Sequence, residues 1–424
     1  MKTKLVIPVA TATAMLCSCS WYSSVLQAGV LPWPNYHAPA LPQYPQNLGV
    51  NDYNEELVAP IHQLNPPLMR QTSFSHLVEP KTSVFPPHRS CDPTRFSLDA
   101  CIVKTAGSQE GLHQQVTYLR SKNPQMREGA GWANLPNSAL LQTALELTRW
   151  LHGQTPYRLQ ERFNLLEVPS AKHSGQAQYT GYFTPVVDVQ NWPDEHYRYP
   201  IYSLPSGEDC NFTRAEIDAG ALRGRGLEIG WTNDVVNLYF SHIQGSAIAR
   251  FRDGQEMFLD YAGTNHKPHV SIGQYLQDQG YQGSLSNESI RQWLHRHPEQ
   301  INEVLHQNPR YVFFKTTESR PKTSIGSEVI PWHTVAVDDN FIPLGSILLA
   351  EIPRVDQKGE IVGVDWRLLF AQDRGKAIKG LGRLDFYTGV GSQAEKATYQ
   401  MTGFRKSYLV VLKPEFFKNS FVGL

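Results

Sequence analysis

The chain carries no excess charge of either sign: 39 Lys and Arg residues offset 39 Asp and Glu residues over 424 positions. That excludes the broad basic field on which nucleic-acid binding rests, and no nucleic-acid motif is present. Cysteine is scarce, with five in all, and the spacings form no zinc set. There is no G-x-S-x-G elbow, no H-E-x-x-H helix and no P-loop, which removes the chemistries those motifs carry. The 15 histidines are unpatterned. His295 and His297, two apart on a helix, face different ways, and His266 and His269 flank Lys267-Pro268 in a loop. No metal site and no cofactor are expected.

Hydrophobic residues make up 41% of the chain and charged residues 18%, so a packed core is within reach, and the length allows two domains plus tails. Lys2 and Lys4 precede a short apolar run, Leu5–Leu16. That run has the form of a signal-peptide core and is too short to span a bilayer. It ends in Leu16-Cys17-Ser18-Cys19, which resembles a bacterial lipobox with Cys19 as the modified residue. The expectation is a signal peptide over 1–18 and acyl chains on Cys19, which anchor without a transmembrane helix. Ser20 in place of Asp points to the outer membrane, periplasmic face. Ordinary cleavage, giving a soluble periplasmic protein, is the alternative. Residues 19–95 hold Pro32, Pro34, Pro39, Pro42, Pro45, Pro60, Pro66 and Pro67, a composition that favours an extended tether. Cys91 and Cys101 bracket a short loop where an oxidising periplasm permits a disulfide; Cys210 has no evident mate.

Beyond the tether, apolar spacing predicts a helix over Ser138–Leu151, with Asn137 or Ser138 as cap. A β-branched, aromatic strand follows over Tyr179–Val187, then another over Tyr199–Leu204. Thr213-Arg214-Ala215-Glu216 is a capping box opening a helix to about Arg223. Short strands are expected around Asn237–Gln244 and Gln255–Tyr261, and helices over Val270–Gln279, Glu288–Arg296 and Pro298–Gln307. From Tyr311 onward the pattern is strands: Tyr311–Thr316, Thr334–Val337, Ser346–Glu351, Trp366–Gln372, Leu384–Tyr387 and Ser407–Leu412. Many short strands without regular intervening helices argue for a mainly β protein with a closed barrel.

Two acids stand out, Asp373 and Asp385, in the stretch Leu368–Gly391 with small residues Gly375, Ala377, Gly380 and Gly382 between them. Asp385, set among Leu384, Phe386 and Tyr387, would be partly desolvated, which raises a carboxyl pKa and suits it to proton donation. Asp373 alone also fits an ordinary turn former. Aromatics reach 11%, with 19 Tyr and 9 Trp. Such rings pack in cores and also against sugar faces.

Several blocks resemble the membrane-bound lytic murein transglycosylase A family: Thr180–Val187, Ser203–Ala221, Ile243–Ser246, Tyr261–Asn265, Ser271–Gly273, Asn308–Lys315, Ile342–Pro353 and Asp373–Gly391, in the family's order over roughly Tyr179–Pro414. The resemblance implies a double-psi β-barrel interrupted by a second, smaller β-domain, with a glycan groove between them. The barrel would be 96–182 with 309–424, and the insert 183–308. It implies cleavage of the β-1,4 bond between N-acetylmuramic acid and N-acetylglucosamine in peptidoglycan, without water, leaving 1,6-anhydro ends. The family's catalytic aspartate maps to Asp385 and the earlier acid to Asp373. Their spacing is one residue longer here, the extra residue falling in Gly380–Arg383. Thr180, Gly181, Tyr182, Gln244, Ser246, Tyr261 and Lys379 are the expected glycan contacts. Partners would be peptidoglycan glycan strands, the outer membrane through the anchor, and cell-wall synthases as candidates. Two alternatives stay open: hydrolysis with Asp373 and Asp385 as an acid–base pair, and a non-catalytic peptidoglycan-binding lipoprotein.

Overall fold

Pro185 divides the stretch that the sequence reads as one strand. Ala177–Thr184 joins one sheet and Val186–Gln190 another; proline lacks the N–H that a continuing ladder needs. The computed structural model describes residues 97–129, 133–154, 156–320, 322–375 and 377–417. The export signal, Cys19, the proline-rich tether and Cys91 lie outside the described residues. Cys101 is disulfide-bonded, and Cys210 is free.

The chain enters through α1 (Leu98–Cys101) and α2 (Ala106–Arg120). Thr105 caps α2, its hydroxyl accepting from the Ser108 N–H at 3.0 Å. The sequence reading passes over α2 because Gly107 and Gly111, both poor helix formers, sit inside it. Packing explains them. A Cβ at Gly107 would stand 2.4 Å from the His333 ring, and one at Gly111 1.9 Å from the Phe370 ring. The short pair β1 (Arg127–Glu128) and β2 (Leu135–Pro136) leads into α3 (Asn137–Leu151). The helix is where periodicity puts it, but its cap position is Pro136, without a side-chain bond. Asn137 is buried in the first turn and donates to the Asn123 carbonyl at 3.0 Å.

After α4 (Leu159–Arg162) come β3 (Phe163–Glu167), β4 (Ala177–Thr184), β5 (Val186–Gln190) and β6 (Tyr199–Tyr202). The capping box of Thr213 and Glu216 opens α5 (Arg214–Asp218), which stops short of Arg223. β7 (Glu228–Thr232) precedes α6 (Val235–Gln244), and here the expectation of a strand at 237–244 is overturned. Asn237, Ser241 and Gln244 do recur at helical spacing, but Val235, Val236, Leu238, Tyr239 and Phe240 are buried while Ile243 is exposed, so the apolar residues keep to no single face and the period is blurred. The ends decide: Asp234 accepts from the Asn237 N–H at 2.9 Å, and Gly245 closes the helix at φ 81°.

The remaining elements are β8 (Ala247–Phe251), β9 (Glu256–Thr264), α7 (Ile272–Asp278), α8 (Asn287–Arg296), α9 (Ile301–Leu305), β10 (Val312–Thr317), β11 (Thr334–Val337), β12 (Ile347–Val355), β13 (Ile361–Arg374), β14 (Arg383–Val390), α10 (Gly391–Met401), β15 (Gly403–Arg405) and β16 (Ser407–Leu412). The expected helix over 298–307 is a 3₁₀ turn running into α9. β12, β13 and β14 extend past their expected ends, while β11 and β16 match theirs.

Two sheets result. One has six strands, in the order β10-β9-β8-β5-β7-β6; the other has eight, β15-β4-β14-β11-β13-β12-β16-β3, and is barrel-like. The mainly β class is thus as expected. The larger sheet buries Val335, Leu348, Leu369, Phe386 and Leu409 with α2 and α3. The smaller buries Val187, Val189, Ile201, Leu259 and Phe314. Two parallel pairings, β4 with β14 and β11 with β13, lie side by side in the larger sheet, joined by the antiparallel pair β11 with β14.

Candidate active site

That run of four strands builds the site. In β14, Asp385 is opposite Thr180 of β4 on one side and Ala336 of β11 on the other. Ala336 is in turn opposite Asp373 of β13. Opposed residues in neighbouring strands project to the same face, so Thr180, Asp385, Ala336 and Asp373 form one row. Two strand spacings put the backbones of the acids about 10 Å apart, with a methyl group between them. The row depends on an irregularity. β11 and β13 slip register after Val335, which is opposite Ala371, so that Ala336 meets Asp373 and not Gln372. A bulge of this kind re-aims the side chain that follows it. Gln372 is buried, accepting from Thr334 at 2.6 Å and donating to Gln114 at 2.8 Å.

The two acids differ in surroundings. Burial pushes the Asp385 carboxyl above its ordinary range and the charge of Asp373 adds to this, while the Thr180 hydroxyl and the Arg383 charge hold it back. Thr180 Oγ1 donates to Asp385 Oδ1 at 2.5 Å. Burial also raises Asp373, but its Oδ1 accepts from three donors: Ser324 Oγ at 2.7 Å, Ser324 N at 3.2 Å and Arg374 N at 2.9 Å. Donors to the charged form favour that form. Asp385 is therefore the better proton donor, and Asp373 the better seat for a charge.

Tyr182 lies two residues along β4 from Thr180, opposite Tyr387, with ring centroids 5.1 Å apart. The Tyr387 hydroxyl pairs with Thr184 Oγ1 at 2.8 Å. Gly181 faces the other way, where a Cβ would meet Met401 and Thr398 of α10 at 3.1 Å. Gln244, at the end of α6, accepts from the Phe183 N–H at 3.4 Å. Lys379 is exposed in the loop between β13 and β14; burial raises the nearby Asp338, but the Gly380 and Asn340 donors, with the Lys379 charge after them, hold it below the usual carboxylate range. The structure thus gathers Thr180, Tyr182, Asp373 and Asp385, with Gln244 tied to the adjoining backbone. Ser246 lies in the link between α6 and β8, and Tyr261 lies in β9 of the smaller sheet, 48% exposed.

Sequence reasoning missed Ser324, Ala336, Asp338 and Arg383. Ser324 lies in an irregular loop with no period to mark it. Asp338, just past β11, accepts from the Gly380 N–H at 2.8 Å and so pins the loop between the acids. That loop turns on two left-handed glycines, Gly380 at φ 95° and Gly382 at φ 66°. A Cβ at Gly382 would stand 2.0 Å from the Pro169 carbonyl oxygen, and the Gly382 carbonyl accepts from the Gln178 N–H at 2.7 Å.

Fold and site define a class: mainly β proteins in which a barrel-like sheet interrupted by a smaller sheet presents two unequal aspartates in one row. Comparison with known proteins places the chain within it. Residues 178–315 match the MltA specific insert domain and residues 333–409 the 3D domain. The chain is 32% identical over 289 residues to the membrane-bound lytic murein transglycosylase A of Escherichia coli K12, covering 66% of this chain and 76% of that one. It is 37% identical over 226 residues to the protein of the same name from Vibrio cholerae, covering 52% of this chain and 61% of that relative, under two thirds of its length. The crystal structure of E. coli MltA with bound chitohexaose superposes with a TM-score of 0.61 at 28% identity, covering 72% of this chain and 90% of that one. The chain belongs to the membrane-bound lytic murein transglycosylase A family.

Proposed function

We propose that the chain is a peptidoglycan lytic transglycosylase that cuts the β-1,4 bond between N-acetylmuramic acid and N-acetylglucosamine and leaves 1,6-anhydro ends. The observation that carries this reading is the inequality of the two acids in the row: among the described residues, Asp385 is raised by burial with Thr180 as its one hydrogen-bond donor, while Asp373 accepts three hydrogen bonds from Ser324 and Arg374 and faces the Tyr182 hydroxyl. The names of the relatives and the chitohexaose bound to the E. coli protein support the substrate class.

Asp385 starts protonated and gives its proton to the glycosidic oxygen as that bond breaks. The muramic acid 6-hydroxyl attacks its own anomeric carbon, and Asp385 takes up the hydroxyl proton. The acid ends as it began, and no water enters. An intramolecular hydroxyl has a high effective concentration, so the second carboxylate that glycosidases use as nucleophile or base is not needed; Asp373 orients the site. Thr180, Tyr182, Gln244, Ser246, Tyr261 and Lys379 border the glycan path, and Gly181, turned toward α10, offers it backbone only. β10 belongs to the smaller sheet, so the inserted half of the groove runs past the expected bound of 308 to about residue 317, and the barrel domain comprises 96–182 with the chain that follows β10. Acyl chains on Cys19 hold the protein at the periplasmic face of the outer membrane, and cell-wall synthases are candidate partners.

The test is the Asp385→Asn protein on purified peptidoglycan. It is expected to sediment with the sacculi as wild type does and to release no soluble fragments. Release at the wild-type rate would overturn the assignment of the acid. Sedimentation without release by wild type itself would mark a binding protein.

A further inference from the structure

Polar groups around the row are nearly all matched. Thr180 serves Asp385, Ser324 and the Arg374 N–H serve Asp373, and Thr184 serves Tyr387. The Tyr182 hydroxyl is the exception: it is buried and makes no hydrogen bond of ordinary geometry, yet it stands close enough to Asp373 to act on that carboxyl as a donor. A buried polar group left unpaired is costly, so its retention calls for a use. β4 carries Thr180 and Tyr182 on one face, since side chains two apart project alike. The phenol therefore lies one step from the row, braced by the Tyr387 ring. After burial, the charge it feels most is that of Asp373, then that of Asp385. Each acid keeps one oxygen in reserve: among the described residues, the hydrogen bonds to both use Oδ1 alone.

We infer that Tyr182 is a positioning residue for the acid pair: its hydroxyl donates to Asp373 when that carboxylate is charged, and so keeps the pair's proton on Asp385. This rests on the reading of Asp385 as the acid. Two carboxyls facing one space titrate as a pair, and a donor that reaches only one of them makes the two unequal. A phenol suits the task. Burial and the surrounding negative charge hold its own proton in place, so it donates a hydrogen bond without joining the proton traffic. The ionisable groups around it are Asp373 from β13, and Asp385 and Tyr387 from β14. Arg383 acts on Asp385, and Arg320 on Tyr387.

The test is Tyr182→Phe in the full chain, which keeps the ring and removes one oxygen. In the pH profile of peptidoglycan cleavage, the acid limb reports ionisation of Asp373. It is expected to move up by about one pH unit, a tenfold change in that equilibrium, with kcat falling and KM little changed. Carboxyl-carbon NMR of the free protein reads the same shift at Asp373 without any turnover. Ser324→Ala, which removes a different donor to Asp373, is expected to move that carboxyl in the same direction and serves as the control. An unmoved limb and an unmoved Asp373 titration, with a raised KM, would make Tyr182 a glycan contact and overturn the inference. If wild type cleaves no peptidoglycan, the functional reading fails, and the NMR titration still decides whether Tyr182 and Asp373 are coupled.

Discussion

Asp373 and Asp385 are opposite the same residue, Ala336, from its two sides. Twelve positions apart in sequence, they are brought into one row because β13 and β14 flank β11, and because the register of β13 slips before Asp373. The consequences can be measured one at a time.

Asp385 carries a stability cost that follows from its raised pKa. A carboxyl raised in the folded state stabilises the fold below its unfolded pKa, and that contribution is lost as pH rises through the folded pKa. Asp385→Asn removes the group that must charge. The variant is expected to melt above wild type at neutral pH, the gap closing below pH ~4, where the unfolded aspartate is also protonated. Melting curves over pH check this; a variant less stable than wild type at pH 7 would contradict it.

Thr180 holds the Asp385 pKa down through its 2.5 Å hydrogen bond. Losing that donor disfavours the charged form. For Thr180→Val the alkaline limb of the pH–rate profile is expected to move upward. The rate should fall about tenfold, the scale of one hydrogen bond to a charged group, because the carboxyl is no longer aimed. Thr180→Ser keeps the donor and is expected to restore both.

The loop between the acids tolerates change unevenly. At Gly380, φ 95° with open space around the missing Cβ, alanine should cost about 1 kcal/mol, the strain of a left-handed residue. At Gly382 the same strain adds to a Cβ only 2.0 Å from a backbone carbonyl. Gly382→Ala should therefore cost roughly 3 kcal/mol or more and depress activity. Urea denaturation of the two variants compares them directly.

Arg291 of α8 bonds Glu395 of α10, with side chains 15% and 17% exposed. Its guanidinium also lies over the Phe240 ring at 4.7 Å, and the Tyr399 hydroxyl donates to Glu395 at 2.8 Å. The pair ties the helices beside the smaller sheet to the helix that backs β4 and β14. Removing one partner leaves the other charged and poorly solvated. Arg291→Ala should cost roughly 2 kcal/mol, less than for a fully buried pair, and the double variant with Glu395→Ala should cost less than the sum of the singles.

Much of this site is legible in the sequence because the signals are local. Asp385 shows as an acid inside an apolar strand, and burial does raise it. The Thr213–Glu216 box shows its own geometry. The row is a different matter. Whether Ala336 meets Gln372 or Asp373 depends on a bulge set by long-range contacts, Thr334 and Gln114 taking up the Gln372 side chain. Ser324 reaches Asp373 from 49 residues away. α6 hides because its apolar residues run nearly all round it, an exposed Ile243 included, and blur its period, and α2 hides because the glycines that weaken it locally are those that let it touch His333 and Phe370.

The most direct measurement is digestion of purified peptidoglycan in ¹⁸O-labelled water, with the fragment ends identified by mass spectrometry. The account predicts 1,6-anhydro ends that contain no label and that vanish with Asp385→Asn. Reducing ends carrying ¹⁸O would contradict it: water would then be the nucleophile, with Asp373 as the second carboxylate.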